Sequence, residues 1–232
     1  MIRLVAVDID GTITSADRKL NLAAVGAIRE LEEKGVEVTI STGNILQYAE
    51  AASTMIGTSG PIIAEDGGIV YDKRNKIEYV LGDRADVDRA LTVLTREIPG
   101  VKETRNSQLR LTGATIERGV DIDEIRKVLK KNHFKLVAVD SGVAIHLKNP
   151  SVNKGNAIRK VAEITGAKLS EIAAIGDGLN DVEMLEVAGV SFAVSNSPQE
   201  VKRVATYTTS GPDGAGMVEA ARRILEMNEK TI

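Results

Sequence analysis

The chain has no cysteine, no tryptophan and only 2 histidines. Without cysteine there can be no disulfide, no thiolate nucleophile and no cysteine-ligated zinc. His133 and His146 are too few and too isolated in the sequence to form a histidine-rich metal site. Aromatic residues are 3% of the total, too sparse for platforms on which nucleic-acid bases stack. No sign of charge dominates: the formal net charge of −3 gives no electrostatic attraction to nucleic acid or to an anionic membrane surface. No apolar run approaches the ~20 residues that span a bilayer, and the N-terminal stretch has no signal-peptide pattern. These absences lead to the expectation of a cytoplasmic protein with no nucleic-acid or membrane partner. Its chemistry should rest on carboxylates, hydroxyls, lysine and backbone amides. At 232 residues, the chain accommodates one large domain, or one domain carrying a smaller insertion.

What is present is concentrated at the ends of apolar runs. The run Leu4-Val5-Ala6-Val7 stops at Asp8-Ile9-Asp10-Gly11-Thr12. A short continuous apolar run suits a strand covered on both faces, and its carboxyl end is where open α/β sheets bind ligands. Asp8 and Asp10, one residue apart, project to the same side of an extended chain. Unpartnered they would repel, so a cation, most simply a divalent one, is expected to join them. Two later runs end in the same way, Val36 to Ile40 at Ser41-Thr42-Gly43-Asn44 and Ile172 to Ile175 at Gly176-Asp177-Gly178-Leu179-Asn180-Asp181. In a parallel sheet these ends share one edge and converge on one crevice. Asp177 and Asp181 add carboxylates to the first pair. A donor set of hard oxygens suits Mg²⁺. Lys154 supplies the positive charge that such a cluster and a phosphoryl group both need. Thr42 reads either as a hydroxyl capping the following helix or as a donor to a phosphoryl oxygen assisted by the amides of Gly43 and Asn44.

The rest of the chain places these motifs. Asn21 caps a helix whose apolar stripe is Leu22, Val25, Ile28 and Leu31, ended by Gly35. A second helix spans 45–56 and is closed by Gly57. Ile62 to Ala64 is a strand, Glu65-Asp66-Gly67-Gly68 a turn, and 69–71 with 77–80 a hairpin. From about Gly82 the rhythm changes. An amphipathic helix carries Val87, Leu91, Leu94 and Ile98, followed by short runs at 109–111 and 115–117. Asp121 with Glu124 resembles a capping box opening a further helix, and strands at 135–139 and 143–147 follow. Strands joined directly indicate an antiparallel α+β insert within a parallel frame. The predicted fold is therefore α/β, a doubly wound, mainly parallel sheet in 1–82 and 152–232, with a smaller α+β unit in 83–151. The frame resumes with a helix at 155–164, the strand 172–175, a strand at 191–194 and a last helix at 217–227.

Asp8-Ile9-Asp10-Gly11-Thr12, Thr42-Gly43, Lys154-Gly155 and Gly176-Asp177-Gly178-Leu179-Asn180-Asp181 together resemble the four ordered motifs of the haloacid dehalogenase superfamily of phosphatases. The resemblance covers essentially the whole chain, and the insert is similar to the larger α+β cap class of that superfamily. It implies a Rossmann-like core and a phosphoric monoester hydrolase. By that resemblance Asp8 is the nucleophile that forms an aspartyl-phosphate, and Asp10 protonates the leaving alkoxide and then activates water. It further implies that Mg²⁺ is held by Asp8, by the backbone carbonyl of Asp10, and by Asp177 and Asp181, with Asn180 in support. The resemblance also implies that Thr42, Gly43 and Lys154 bind the phosphoryl group. The short insert and the Ser-Thr-Gly-Asn segment are similar to archaeal phosphoglycolate phosphatases, which implies 2-phosphoglycolate as the substrate. Relatives with this cap class often carry arginine after the Thr-Gly, whereas Asn44 stands here, which weakens the transfer of a sugar-phosphate specificity.

Arg105, Arg110, His146 and Lys148 are the insert residues suited to meet an anionic leaving group, against the alternative that they form a solvated outer sheet face. Three other functions use nearly the same groups: a sugar-phosphate phosphatase, a phosphomutase, and a phospho-accepting receiver module. Chain length, the insert and the spacing of Asp8 and Asp10 disfavour the receiver. The expected partner is a small phosphorylated metabolite, and a homodimer stays open.

Overall fold

A computed structural model describes residues 1–230, so the last two residues of the segment 152–232 lie outside the described residues. The first strand, β1 (Leu4–Val7), is wholly buried and pairs in parallel with β2 (Glu37–Ile40) on one side. Between them runs α1 (Leu22–Glu33), capped by the Asn21 side chain, which accepts from the amides of Ala23 and Ala24. Its stripe is displaced from the one the periodicity predicts. Ala24, Val25, Ala27, Ile28 and Leu31 form the buried stripe, and Leu22, 81% exposed, lies on the opposite side of the helix from that stripe. After β2 comes α2 (Leu46–Ile56), which ends at Gly57 in the left-handed conformation. Strands β3 (Ile62–Ala64), β4 (Ile69–Asp72) and β5 (Ile77–Val80) form a small antiparallel sheet. A parallel bridge between Ser41 and Ile63 joins it to the end of β2.

The frame closes with α5 (Lys154–Thr165), β9 (Ile172–Gly176), α6 (Val182–Val187), β10 (Val190–Ala193), α7 (Gln199–Val204), β11 (Tyr207–Thr208) and α8 (Asp213–Glu229). The main sheet is parallel throughout, in the order β11-β10-β9-β1-β2. One layer, with α1 and α8, buries Val5, Val7, Ile28, Val38, Phe192 and Ile224. The other, with α5 and α6, buries Leu4, Ala6, Ile158, Val161, Ala174 and Leu185. Alternate residues of β1 thus face opposite layers, which is why its sequence is apolar without alternation. The fold class predicted from the sequence is the one observed.

Between β5 and α5 lie α3 (Ala85–Glu97), β6 (Gly113–Ile116), α4 (Ile122–Lys131), β7 (Val137–Asp140) and β8 (Ile145–Lys148). The strands form an antiparallel sheet in the order β6-β8-β7. One face is buried by α3 and α4 around Val87, Leu94, Ile116, Ile125, Ile145 and Leu147. Several local expectations shift. The run at 109–111 is no strand: Leu109 and Leu111 are exposed, and a single helical turn spans 107–109. Asp121 caps α4 through the amide of Asp123, so the reciprocal box with Glu124 does not form. The last strand starts at Ile145 because Ser141 to Ala144 make a turn closed by the Ser141 hydroxyl. In the frame, α7 and β11 are additional elements, too short to show a periodicity.

Candidate active site

The register of the parallel sheet brings three strand ends to one level. Val7 stands beside Ile40 and Ile175, so Asp8, Ser41-Thr42-Gly43 and Gly176-Asp177 leave the sheet side by side. The amide of Asp8 donates to the carbonyl of Ile175 at 3.0 Å, the last ladder bond before the chain turns away. At Gly11, φ of +87° reverses the chain, and a Cβ there would lie 2.4 Å from Asp177 Oδ2. Only glycine lets this turn pass so close to the second carboxylate.

Lys154, the first residue of α5, is fully buried between two acids. Its Nζ donates to Asp8 Oδ1 at 2.6 Å and to Asp181 Oδ1 at 2.5 Å. Asp181 Oδ2 in turn accepts from the amides of Asp177 (3.0 Å) and Gly178 (2.9 Å), which fixes the 176–181 loop around that carboxylate. Asp177 Oδ1 accepts from the Thr12 hydroxyl at 3.0 Å. Carboxylate oxygens of Asp8, Asp177 and Asp181 lie within 4.8 Å of one another.

The electrostatics of this cluster follow from burial. Desolvation, with the adjacent Asp181 carboxylate, pushes the Asp8 carboxyl well above the usual carboxylate range, against the pull of Lys154. The same two causes push Asp177 up to about 7. Burial works against the charge of Lys154, but Asp181 and Asp8 outweigh it and hold the ammonium above its ordinary value. One cation thus serves three converging carboxylates, and burial makes the deficit of positive charge costly. Hard oxygen donors at this spacing fit a divalent cation.

The structure separates Asp10 from this trio. Its carboxylate lines the same cavity as Asp8, but it accepts from Arg18 Nε (2.8 Å), Arg18 Nη2 (3.3 Å) and Asn44 Nδ2 (2.8 Å). The predicted metal contact of Asp10 was through its carbonyl, so the side chain is left to other work. Thr42 is buried, and its Oγ1 accepts from the amide (3.1 Å) and the side chain (3.0 Å) of Asn44. Asn44 therefore ties the end of β2 to Asp10.

Sequence reasoning read Glu65-Asp66-Gly67-Gly68 as a simple turn. The structure makes it the joint between frame and insert. Glu65, Asp66 and Gly67 are buried and take φ of 52°, 57° and 93°. Such backbone in non-glycine residues is costly and persists only where the surroundings impose it. The Glu65 carboxylate accepts from the amides of Leu111 and Thr112 and from the Thr112 hydroxyl, at 2.8–3.0 Å. Asp66 Oδ1 accepts from Asn180 Nδ2 at 3.0 Å, and Asp66 Oδ2 meets His146 Nδ1 and, at 3.6 Å, Arg110 Nη2. Burial alone would raise the Asp66 carboxyl, but His146, Lys148 and Arg110 hold it well below the usual carboxylate range. Arg110 Nη1 also donates to the Gly43 carbonyl at 2.8 Å. The outer-face reading of the insert sheet is thereby overturned for Arg110, His146 and Lys148, each no more than 7% exposed. The available signal was two acids and two glycines at the end of β3, the signature the other strand ends share. Arg18 and Asn196 had no comparable signal. Asn196 reaches the Gly11 carbonyl at 3.0 Å from the loop after β10.

Frame and insert enclose a cavity of about 260 Å³. Asp8, Asp10, Gly43 and Gly178 form its floor, and Arg105, Val143 and His146 lie on the insert side.

Comparison with known proteins gives a consistent answer. The family profile of haloacid dehalogenase-like hydrolases matches residues 5–97 and 100–220. A protein of Methanothermobacter thermautotrophicus named phosphoglycolate phosphatase is 42% identical over 96% of this chain and 99% of its own length. A protein of the same name from Methanopyrus kandleri is 38% identical over 97% and 98%. Among solved structures, that of Thermoplasma acidophilum 0175 superposes with a TM-score of 0.88 at 25% identity, covering 96% of this chain and 98% of that one.

Proposed function

The chain belongs to the haloacid dehalogenase-like hydrolases, and from that premise we propose that it is a Mg²⁺-dependent phosphatase acting on 2-phosphoglycolate through an aspartyl-phosphate at Asp8. The observation that carries the reading is the Lys154 ammonium, 2.6 Å from one oxygen of Asp8 at the end of β1. That contact engages Oδ1, and Asp8 itself lines the cavity. The archaeal relatives named phosphoglycolate phosphatase, matched over nearly their whole length, support the substrate. Membership of a hydrolase family sets aside the receiver-module alternative.

Asp8 would attack phosphorus in line, forming an O–P bond as the bond from phosphorus to the leaving oxygen breaks. Asp10, oriented by Arg18 and Asn44, would donate its proton to the departing alkoxide. It would then take a proton from the water that attacks the same phosphorus. That second displacement releases inorganic phosphate and restores the Asp8 carboxylate. Thr42, the amides of Gly43 and Asn44, and Lys154 would receive the phosphoryl oxygens. Mg²⁺ held by Asp8, the carbonyl of Asp10, Asp177 and Asp181 would offset the negative charge gathered there. Residues 83–151 would act as the cap that selects the leaving group. We place the enzyme in the cytoplasm, where a small phosphorylated metabolite would be met; separately, no helix among the described residues is long and apolar enough to cross a membrane.

The test is phosphate release from a panel of phosphoesters with Mg²⁺, wild type against Asp8→Asn. The reading requires 2-phosphoglycolate to head the panel and Asp8→Asn to abolish turnover. Normal turnover by Asp8→Asn would remove the nucleophile, and a sugar phosphate far ahead of phosphoglycolate would remove the substrate.

A further inference from the structure

Of the four basic insert residues suited to an anion, three are already committed. Arg110 and His146 pair with Asp66 across the joint, and Arg110 also donates to the Gly43 carbonyl. Lys148 is buried next to the same carboxylate. On the frame side, Arg18 is engaged with both oxygens of Asp10 and lies over the Tyr48 ring. Arg105 differs from all of these. It is exposed, it lines the cavity on the insert side, and its guanidinium has no partner among the described residues.

The loop that carries Arg105 is nonetheless fixed on both sides. The Thr104 amide donates to the Thr115 carbonyl at 2.9 Å, and the hydroxyls of Thr104 and Thr115 are 2.6 Å apart. The Ser107 amide donates to the Thr104 carbonyl at 3.0 Å, and the Ser107 hydroxyl receives the Thr115 amide at 3.0 Å and donates to Glu103 at 2.6 Å. A loop fixed by these bonds therefore holds an exposed cation with no partner among the described residues beside a cavity whose floor is the candidate phosphoryl site.

We propose that Arg105 is the specificity-determining residue that meets a carboxylate on the leaving group, while Asp66 withholds Arg110 and His146 from that role by engaging them in holding insert to frame. The ligand class is a phosphomonoester whose small leaving group carries a second negative charge. The phosphoryl end lies toward Asp8 and Lys154, and the carboxylate end lies toward the insert, where Arg105 is the cation without a competing acid. The proposal rests on the phosphatase reading above and deepens it.

The experiment uses binding, so it does not depend on turnover. Calorimetry on the full chain with Mg²⁺ compares 3-phosphonopropionate with 3-hydroxypropylphosphonate, which differ in carboxylate against alcohol. Wild type is expected to favour the carboxylate ligand by tenfold or more. Arg105→Gln, a change at an exposed position, removes most of that preference, whereas Arg110→Gln weakens both ligands in parallel. A wild type without preference, an Arg105→Gln that keeps it, or an Arg110→Gln that alone abolishes it would each overturn the proposal. Phosphate release from 2-phosphoglycolate by the same preparation reports separately on the phosphatase reading. Selective binding without turnover would sink that reading and leave Arg105 in place.

Discussion

The metal-free site should be a source of instability that one substitution relieves. Asp177 is pushed from 3.8 to about 7 by burial and by the neighbouring Asp181 carboxylate. Its carboxyl therefore holds a proton more tightly folded than unfolded. The stability linked to that proton is complete below pH 3.8 and is lost as pH rises through about 7. At 1.36 kcal/mol per pH unit the loss at pH 8 is at most ~4 kcal/mol. Asp177 is partly open to the cavity and Asp8 and Asp181 remain beside it, so Asp177→Asn should recover about 1–3 kcal/mol of this. Asparagine keeps an acceptor for the Thr12 hydroxyl, and so loses little else. At about 2–4 °C per kcal/mol for a chain of this size, the variant should melt roughly 2–12 °C above wild type. The assay is thermal unfolding with EDTA at pH 8 and pH 5. The gain should be largest at pH 8, shrink at pH 5, and be cancelled at pH 8 by Mg²⁺, which stabilises wild type more than the variant. If Asp177→Asn melts at or below wild type at pH 8 without metal, the charge account of the site is refuted.

Lys154→Met leaves Asp8 and Asp181 buried without their shared cation, which should cost about 3–5 kcal/mol in denaturant unfolding and abolish turnover. Recovery of wild-type stability without metal would contradict the role of Lys154 as the balancing charge. Glu65→Ala strips three donors of their acceptor, the two of Thr112 buried and that of Leu111 partly so, and should cost on the order of 3 kcal/mol. Proteolysis should show earlier cleavage at the linkers around residues 82 and 150 in that variant than in wild type, and an unchanged cleavage pattern would mean that Glu65 does not hold the insert.

Much of the frame was legible because its signals are local. Apolar runs stopping at Asp8, Ser41 and Gly176 announce buried parallel strands, and the parallel rule then places their ends together without further information. Asn21, Gly35 and Gly57 mark helix ends by chemistry that needs no partner elsewhere. What escaped depends on contacts between distant segments. Asp66 and Glu65 look like turn residues until the insert folds back and supplies Arg110, His146 and the amides of Leu111 and Thr112. His146 and Lys148 alternate with apolar neighbours as an exposed face would, because a strand covered by a polar joint has the same pattern as one facing water. Arg18 reaches Asp10 only through the bridge between Thr14 and Leu20, which no periodicity indicates. Leu22 erred in the opposite sense: the stripe that α1 buries is centred on Ala24, Ala27, Ile28 and Leu31, and Leu22 falls on the other side of the helix.

The central claim is that Asp8 takes the phosphoryl group. The direct measurement is rapid acid quench of the enzyme turning over 2-phosphoglycolate with Mg²⁺, borohydride reduction of any acyl phosphate, and peptide mass spectrometry. The account predicts homoserine at position 8 of the wild type, and no turnover and no reduction product at that position in Asp8→Asn. Reduction product at another acid, or steady wild-type turnover with position 8 unreduced, would contradict it.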